Sequence, residues 1–231
     1  MKEIVLVCSG STEESSKNKL VGWQDVRLSK AGLEEEYNAG RILKRNNYTF
    51  DLAFTSVLTR GVQSLWQILD AMDLHWVKTN KNWRLNGRYY GQLEGMDYQQ
   101  IAERYGEEKL KHWMHDYKAF VPMVELDDLR HPSNDPRYGD LIPEEIPQGE
   151  NLVETFSRVF PHWDNKIKPM IAIDRKVLVV GHHNSIRALM TMIEDAPIEE
   201  VIERPIMRGI PMVYTLDDDL NYISKSELRD E

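Results

Sequence analysis

The sequence predicts an α/β fold, a three-layer α/β/α sandwich on a mainly parallel sheet, and two observations carry this prediction. First, residues 4–7 (IVLV) and 177–180 (VLVV) are short apolar runs rich in β-branched side chains. Such runs are too short for helices and are typical of strands that are buried on both faces. Second, these runs alternate with longer amphipathic segments, which favours helices on both sides of a parallel sheet.

The elements are predicted in chain order from apolar periodicity and capping residues. Ser29 is the predicted N-cap of a helix that reaches about residue 45, and Ser56 is the predicted cap of the following helix. Strands are expected near residues 3–8, 51–55, 75–79, 176–181 and 211–216. Further helices are expected near 97–105, 107–117, 151–170 and 186–194.

The chain of 231 residues is long enough for one sizeable domain, and we expect a single domain over 1–231. Residues 120–149 hold five prolines and no periodicity, so this segment is predicted to be an insertion or lid. The charged end, about residues 224–231, is expected to be a flexible tail.

Composition excludes several classes of function. A net charge of −9 argues against nucleic-acid partners and, more weakly, against anionic membrane surfaces. A single cysteine excludes an intrachain disulfide framework, and no residues show the spacing of metal ligands. No apolar stretch reaches the roughly 18–20 residues of a membrane span, and the first run is too short for a signal peptide. A soluble protein of the cytoplasm is therefore expected.

Two loops that follow predicted strands carry small and titratable residues. They are Cys8-Ser9-Gly10-Ser11 and Gly181-His182-His183-Asn184-Ser185. Ligands bind outside the carboxyl ends of parallel strands, so these loops are the candidate site. Together with Gly22-Trp23, Thr59-Arg60 and the stretch from Arg84 to Gly91, they closely resemble the cofactor-dependent phosphoglycerate mutases of the histidine phosphatase superfamily. The resemblance extends over essentially the whole chain.

That resemblance implies a lineage that interconverts 3- and 2-phosphoglycerate in glycolysis through a phosphohistidine, with 2,3-bisphosphoglycerate as cofactor. The family motif Arg-His-Gly-Glu falls on Cys8-Ser9-Gly10-Ser11, so Ser9 stands at the nucleophile position. The glutamate that acts as general acid falls on Gly87, which cannot transfer a proton. We therefore expect a pseudoenzyme that does not use the cofactor and acts by binding a partner or small ligand.

The retained ligand-binding residues, by resemblance, are Arg60, His182, Tyr90, Gly22, Arg88 and Asn184. Tyr89, Tyr98 and Met114 are expected around the same cleft, in place of polar or cationic groups. One arginine and one histidine can hold a simple anion such as phosphate or sulfate. Its affinity is expected to weaken as the pH rises through the pKa of His182.

Two alternatives remain open at this stage. A cytosolic enzyme with altered chemistry would use Ser9 or Cys8 with His182, and the Cys8 thiol would then have a lowered pKa beside Arg60 and His182. Weak residual mutase activity is the other. For partners, the resemblance implies a homodimer that meets near residues 75–77, or a hetero-oligomer with an active mutase.

Overall fold

A six-stranded mixed sheet forms the middle layer of the computed structural model, which describes residues 1–230. The strand order is β3-β2-β4-β1-β5-β6; the first four run parallel, and β5 and β6 are antiparallel to their neighbours. The strands are β1 (Lys2–Cys8), β2 (Leu52–Thr55), β3 (Lys78–Lys81), β4 (Val177–Gly181), β5 (Met212–Leu216) and β6 (Tyr222–Glu227).

Helices cover both faces of the sheet, which confirms the predicted three-layer α/β sandwich. One apolar core lies between the sheet and α6 and α8, and the other lies beneath α2 and α3. The α-helices are α1 (Glu13–Ser16), α2 (Lys30–Arg45), α3 (Thr59–Ala71), α4 (Tyr98–Tyr105), α5 (Glu107–His115), α6 (Leu152–His162), α7 (Lys168–Ala172), α8 (His183–Glu194) and α9 (Ile198–Ile202). None of these helices, within residues 1–230, is long and apolar enough to cross a membrane.

Capping explains where one of the predicted helices begins and corrects another. The Ser29 hydroxyl accepts the N–H of Gly32 at 3.1 Å, as expected for the N-cap of α2. Ser56 does not cap α3, which begins at Thr59 after Leu58. The Ser56 hydroxyl instead contacts His182, so the prediction for Ser56 as a cap is wrong.

The third strand lies later in the chain than predicted. Residues 75–77 form a turn, and the strand is Lys78–Lys81, which pairs in parallel with β2 at the edge of the sheet. Lysines on an edge strand discourage pairing with other chains, so such strands are polar and lack an apolar signature. The sequence predicts a strand from residue 75 because the turn at 75–77 contains apolar residues.

The carboxyl-terminal end is a strand rather than a flexible tail. β6 pairs with β5 throughout its length, and beyond it Asp230 forms an ion pair with Arg45 of α2 and accepts a hydrogen bond from Asn38 at 2.9 Å. The predicted flexibility is wrong for residues 224–230, and Glu231 lies outside the described residues. This end lies against α2.

Residues 120–149 fold as a loop with three short 3₁₀ turns, Pro132–Asn134, Pro136–Tyr138 and Pro143–Glu145. Tyr138 stacks on Trp23 with ring centroids 4.9 Å apart. The expectation that this segment acts as a lid stays a prediction. The predicted helix over 151–170 is divided into α6 and α7 by a π-helical turn at Trp163–Ile167, just before Pro169, which has no N–H for the helical ladder.

A buried carboxyl group in α2 has no partner. Glu36 is fully buried, and neither of its side-chain oxygens has a hydrogen-bond partner among residues 1–230. Burial raises its pKa well above the ordinary value, and the neighbouring Glu35 adds to this. The folded protein therefore keeps a proton on Glu36 that the unfolded chain releases above about pH 4.

We expect Glu36→Met to increase the free energy of unfolding at pH 7 by about 1–3 kcal/mol, because an unpaired buried polar group is removed. The difference should shrink as the pH falls below about 4, where the unfolded chain also holds the proton. Denaturant unfolding at pH 7 and pH 4 measures both values, with the exposed Glu34→Met as the matched control. A Glu36→Met protein that is less stable than the parent at pH 7 would show that the buried carboxyl group stabilises the fold.

Candidate functional site

The loop after β1 is held in one position by backbone and side-chain contacts. The Ser9 N–H donates to the Gly181 carbonyl at 2.8 Å, which continues the pairing of β1 with β4. A Cβ at Gly10 would lie 2.6 Å from the Gly32 oxygen, so only glycine allows this approach of the loop to α2. The loop therefore presents Ser9 at the carboxyl edge of the sheet.

His182 lies between two serine hydroxyls. Its Nδ1 is 3.1 Å from Ser9 Oγ, and its Nε2 is 2.8 Å from Ser56 Oγ. The imidazole is buried, and burial together with the nearby Arg60 and Arg208 cations lowers its pKa well below the ordinary value. His182 is therefore neutral at physiological pH, so one ring nitrogen carries a proton and the other accepts one.

The surroundings of Ser56 assign that proton. Ser56 Oγ already accepts the Leu58 N–H at 3.2 Å, and within residues 1–230 its own hydroxyl proton has no acceptor in reach except His182 Nε2. Ser56 is fully buried, where an unpaired donor costs about 1–3 kcal/mol. We therefore infer that the Ser56 hydroxyl donates to Nε2 and that Nδ1–H donates to Ser9 Oγ. The Ser9 hydroxyl proton is then free for a ligand.

Gly87 lies beside this pair and brings no functional group to it. A Cβ at Gly87 would lie 3.4 Å from the Cβ of His182, so the position faces the histidine. The Gly87 carbonyl accepts hydrogen bonds from Trp23 Nε1 at 2.7 Å and from Arg158 Nη2 at 2.6 Å. Arg158 is itself paired with the buried Glu150 at 2.5 Å. The backbone is thus rigidly held at a position without an acid.

A cavity of about 150 Å³ opens above Ser9 and His182, and we call it the Ser9 cavity. Its lining includes four cationic residues and, among residues 1–230, no aspartate or glutamate. The lining residues are Ser9, Thr12, Ser15, Lys19, Leu20, Val21, Gly22, Arg60, Gly87, Arg88, Tyr90, His182, His183, Asn184 and Arg208. In a chain of net charge −9, such a lining favours anions.

Two of the predicted anion ligands are engaged by the backbone. Arg60 donates to the Gln24 and Gly22 carbonyls at 2.8 and 2.5 Å, and burial lowers its pKa to about 10. Arg88 donates to three backbone carbonyls at 2.7–3.2 Å and is almost fully buried. Both arginines line the cavity and hold its walls. Direct contact with an anion stays a prediction for each of them.

The other predicted ligand residues divide into two groups. Tyr90, Gly22 and Asn184 line the Ser9 cavity, and Asn184 Nδ2 lies 3.4 Å from the Tyr90 hydroxyl. Tyr89, Tyr98 and Met114 do not line it, so their predicted positions are wrong. The Tyr89 side chain packs on Trp23 instead, and Met114 packs against another apolar cluster.

Arg208 and Lys19 are cations of the lining that were not among the predicted site residues. Arg208 Nη1 donates to the carbonyls of Ser9 and Gly10 at 3.0 and 3.2 Å, so this guanidinium reaches the nucleophile loop directly. Arg208 lies in none of the stretches that carry the family resemblance, so nothing in the sequence indicated its role. Ser56 was also missed, because a cap was the simpler interpretation of its position.

Cys8 does not belong to the site. Its side chain packs in the core on the α6 and α8 face, and its Sγ lies 3.5 Å from His183 Nδ1. Burial raises the pKa of the thiol to about 12, and burial lowers the pKa of His183 to about 4. The expected lowered pKa of Cys8 is wrong, because the strand turns this side chain away from Arg60 and His182.

Comparison with known families identifies the fold. A model of the histidine phosphatase superfamily (branch 1) matches residues 4–132, more than half of the chain. The chain belongs to this superfamily. The narrower likeness to phosphoglycerate mutases stays a prediction.

Three solved structures that are similar to this chain cover nearly its whole length. A putative α-ribazole-5′-phosphate phosphatase from Escherichia coli is 16% identical, with a TM-score of 0.76 and coverage of 99% of this chain and 96% of that one. YhfR of Bacillus stearothermophilus is 16% identical (TM-score 0.71, coverage 96% and 95%). A mycobacterial glucosyl-3-phosphoglycerate phosphatase is 19% identical (TM-score 0.68, coverage 93% of each chain). At these identities the likeness shows the fold alone.

We expect the Cys8 thiol of the folded protein to resist iodoacetamide at pH 8, because a buried thiol with a pKa of about 12 forms almost no thiolate. Mass spectrometry before and after unfolding counts the alkylated sites, and Cys8 is the single cysteine of the chain. A Ser16→Cys variant, with the added thiol on the surface, is the matched control and should take up one label when folded. Rapid alkylation of the folded parent would contradict the assigned burial.

Proposed function

We propose that this protein has lost the phosphohistidine chemistry implied by its resemblance to the mutases and acts as a pseudoenzyme that binds a small anion in the Ser9 cavity. One observation carries the proposal. The nucleophile position holds a serine whose Oγ lies 3.1 Å from Nδ1 of His182, in a cavity lined by cations. A phosphohistidine cannot form where the imidazole is absent.

The missing acid supports the same conclusion. Transfer of a phosphoryl group to or from an alcohol needs a proton at the leaving oxygen, and Gly87 has none to give. Within residues 1–230, no carboxylate lines the cavity that could replace it. Binding of 2,3-bisphosphoglycerate as a cofactor would therefore serve no transfer step.

The size and charge of the cavity favour one anionic group rather than several. Arg208, Lys19 and the Ser9 hydroxyl line a volume of about 150 Å³ at the amino-terminal end of α8. Phosphate, sulfate or a carboxylate would satisfy these donors. We expect affinities that are roughly millimolar, a binding free energy near −4 kcal/mol, and little gain for 2,3-bisphosphoglycerate.

A second candidate function uses Ser9 as a nucleophile with His182 as its base. The distance of 3.1 Å between Ser9 Oγ and His182 Nδ1 favours it. This chemistry needs a proton on Nε2, which would leave the Ser56 hydroxyl without an acceptor. It therefore ranks below the binding function, and weak residual mutase activity ranks lower still.

We also propose that the chain forms a homodimer that meets near residues 75–77, or a hetero-oligomer with an active mutase. Trp76 lies in this turn and is 70% exposed, so its ring is available for an apolar contact with a second chain. Light scattering at micromolar concentration should then give a dimer mass, and Trp76→Ala should shift the protein towards monomer.

Incubation with 2,3-bisphosphoglycerate labelled in its phosphates should leave the protein unlabelled after an alkaline quench, since Ser9 cannot form a phosphohistidine. Ser9→His alone should not restore mutase activity, because loss of a general acid typically costs about 10²–10⁴-fold. An active phosphoglycerate mutase under the same conditions is the control. An alkali-stable label that disappears in His182→Ala would overturn the proposal.

Sulfate should bind with the same affinity at pH 6 and pH 8, because His182 and His183 are already neutral at pH 6. This replaces the expectation from the sequence that affinity falls as the histidine loses its proton. Calorimetry should show that Arg208→Gln and Lys19→Met each weaken sulfate binding by roughly tenfold, since each removes one charged hydrogen bond. Arg175→Gln is the control, because Arg175 lies just before the amino-terminal end of β4 and does not line the Ser9 cavity. A tenfold loss of affinity between pH 6 and pH 8 would show that an imidazole supplies a charge.

A further inference from the structure

A second pocket lies between the loop of residues 120–149 and the segment that follows Gly22. Its volume is about 410 Å³, larger than the Ser9 cavity. We call it the Glu94 pocket. Its lining residues are Trp23, Gln24, Asp25, Tyr89, Glu94, Leu129, Arg130, His131, Pro132, Asn134, Asp135, Pro136, Arg137 and Tyr138.

Glu94 contributes a carboxyl group that is only half paired. Its Oε1 accepts the backbone N–H groups of Trp23 and Tyr90 at 2.6 and 3.2 Å. Its Oε2 has no hydrogen-bond partner among residues 1–230. Burial raises the pKa of Glu94 to about 8, with Arg60 opposing the rise and Glu150 adding to it. Glu94 is therefore mostly protonated at pH 7, and a positive charge nearby would favour its ionised form.

His131 is the second unsatisfied group of the lining. Its side chain is 4% exposed, and its Nδ1 lies 2.7 Å from Ser133 Oγ and accepts the Ser133 N–H at 3.3 Å. Because the Ser133 N–H can only donate, we infer that the proton of the neutral ring is on Nε2, which is buried and has no partner among residues 1–230. The buried Nε2–H of His131 needs a hydrogen-bond acceptor, and residues 1–230 do not supply one.

The arginines of the pocket are already neutralised by carboxylates. Arg137 pairs with Asp25 at 2.9 Å and with Asp135, and Arg130 pairs with Asp128 at 2.6 Å. Arg60, which approaches Glu94 from the side of the Ser9 cavity, donates to two backbone carbonyls. Once Glu94 is ionised, carboxylates outnumber the arginines around the pocket, in contrast to the Ser9 cavity.

The loop that covers the pocket extends this negative charge to the surface. Acidic residues outnumber basic ones along residues 120–149. Aromatic rings form the inner wall, where Trp23 packs on Tyr138 and Tyr89 at centroid distances of 4.9 and 5.3 Å. Leu129 adds an apolar rim that is 90% exposed. Rings and carboxylates together are typical of sites for organic cations.

We propose that the Glu94 pocket binds an organic cation, a guanidinium group that pairs with Glu94 Oε2, on a ligand that also offers an oxygen acceptor to His131. This function is separate from anion binding in the Ser9 cavity and does not depend on it. Because Glu94 is protonated before the cation arrives, binding at pH 7 releases about one proton per site.

Free L-arginine and L-citrulline are the probes, since they match in shape and differ in the charge of the terminal group. Calorimetry at pH 7 in two buffers of different ionisation enthalpy should show arginine binding with proton release. Citrulline should bind at least about tenfold more weakly. A short acetylated peptide with one arginine forms a third arm: tighter binding than free arginine identifies a protein as the source of the cation, and weaker binding identifies a small molecule.

Glu94→Gln should abolish both the preference for arginine and the proton release, while Asp127→Asn, an exposed carboxylate of the same loop outside the pocket, should preserve them. Asn134→Trp places a large ring at an exposed position of the pocket lining and should also block arginine. Thermal unfolding of each variant, followed by circular dichroism, reports whether the fold is intact. Equal binding of arginine and citrulline, no binding of arginine, or arginine binding that survives Glu94→Gln would overturn the proposal.

Discussion

The buried imidazole of His182, held between the hydroxyls of Ser9 and Ser56, determines what the site can do. At the fully buried Ser56, each donor and acceptor must find a partner within the protein. The Ser56 hydroxyl has one acceptor in reach, His182 Nε2. The proton of the neutral imidazole is therefore placed on Nδ1, the nitrogen that contacts Ser9. A histidine in that state donates to the serine and does not activate it, so Ser9 offers its own proton to a ligand.

The two binding regions have opposite electrostatic character although they lie close together. The Ser9 cavity is lined by cations without carboxylates, and in the lining of the Glu94 pocket carboxylates outnumber arginines once Glu94 is ionised. Gly22 and Arg60 lie between them: a Cβ at Gly22 would clash with Glu94 Oε1, and the Gly22 carbonyl accepts from Arg60. Because Gly22 has a positive φ of 54°, a glycine is also favoured there by its backbone. This layer separates the proposed anion site from the proposed cation site.

The sequence predicted the buried part of the fold well and the exposed edges poorly. β1 and β4 are apolar on both faces because helices cover both, and such runs are visible in a single sequence. β3 and β6 lie at the edges of the sheet. Their residues are mostly polar, so the sequence shows no apolar pattern that would predict these strands. The sequence could also have predicted that Cys8 lies in the core, because side chains alternate along a strand and Cys8 therefore faces the same side of the sheet as Ile4 and Leu6.

The site residues also divide into those that the sequence predicted and those that it did not. Ser9, Gly87 and His182 were located by resemblance, and the structure brings them together at one edge of the sheet. Arg208 and Ser56 were missed because their importance depends on contacts between segments far apart in the chain. Arg208 reaches a loop almost 200 residues earlier, as its hydrogen bond to Ser9 spans 199 positions. No local pattern predicts such a contact.

The tautomer of His182 is the most direct test of the central claim. Nitrogen-15 NMR of the imidazole at pH 7 distinguishes a protonated Nδ1 from a protonated Nε2, with Ser56→Ala as the variant that removes the constraint. We expect the proton on Nδ1 in the parent, and a shift towards Nε2 in Ser56→Ala. A proton on Nε2 in the parent would contradict the account and favour Ser9 as a nucleophile activated by His182.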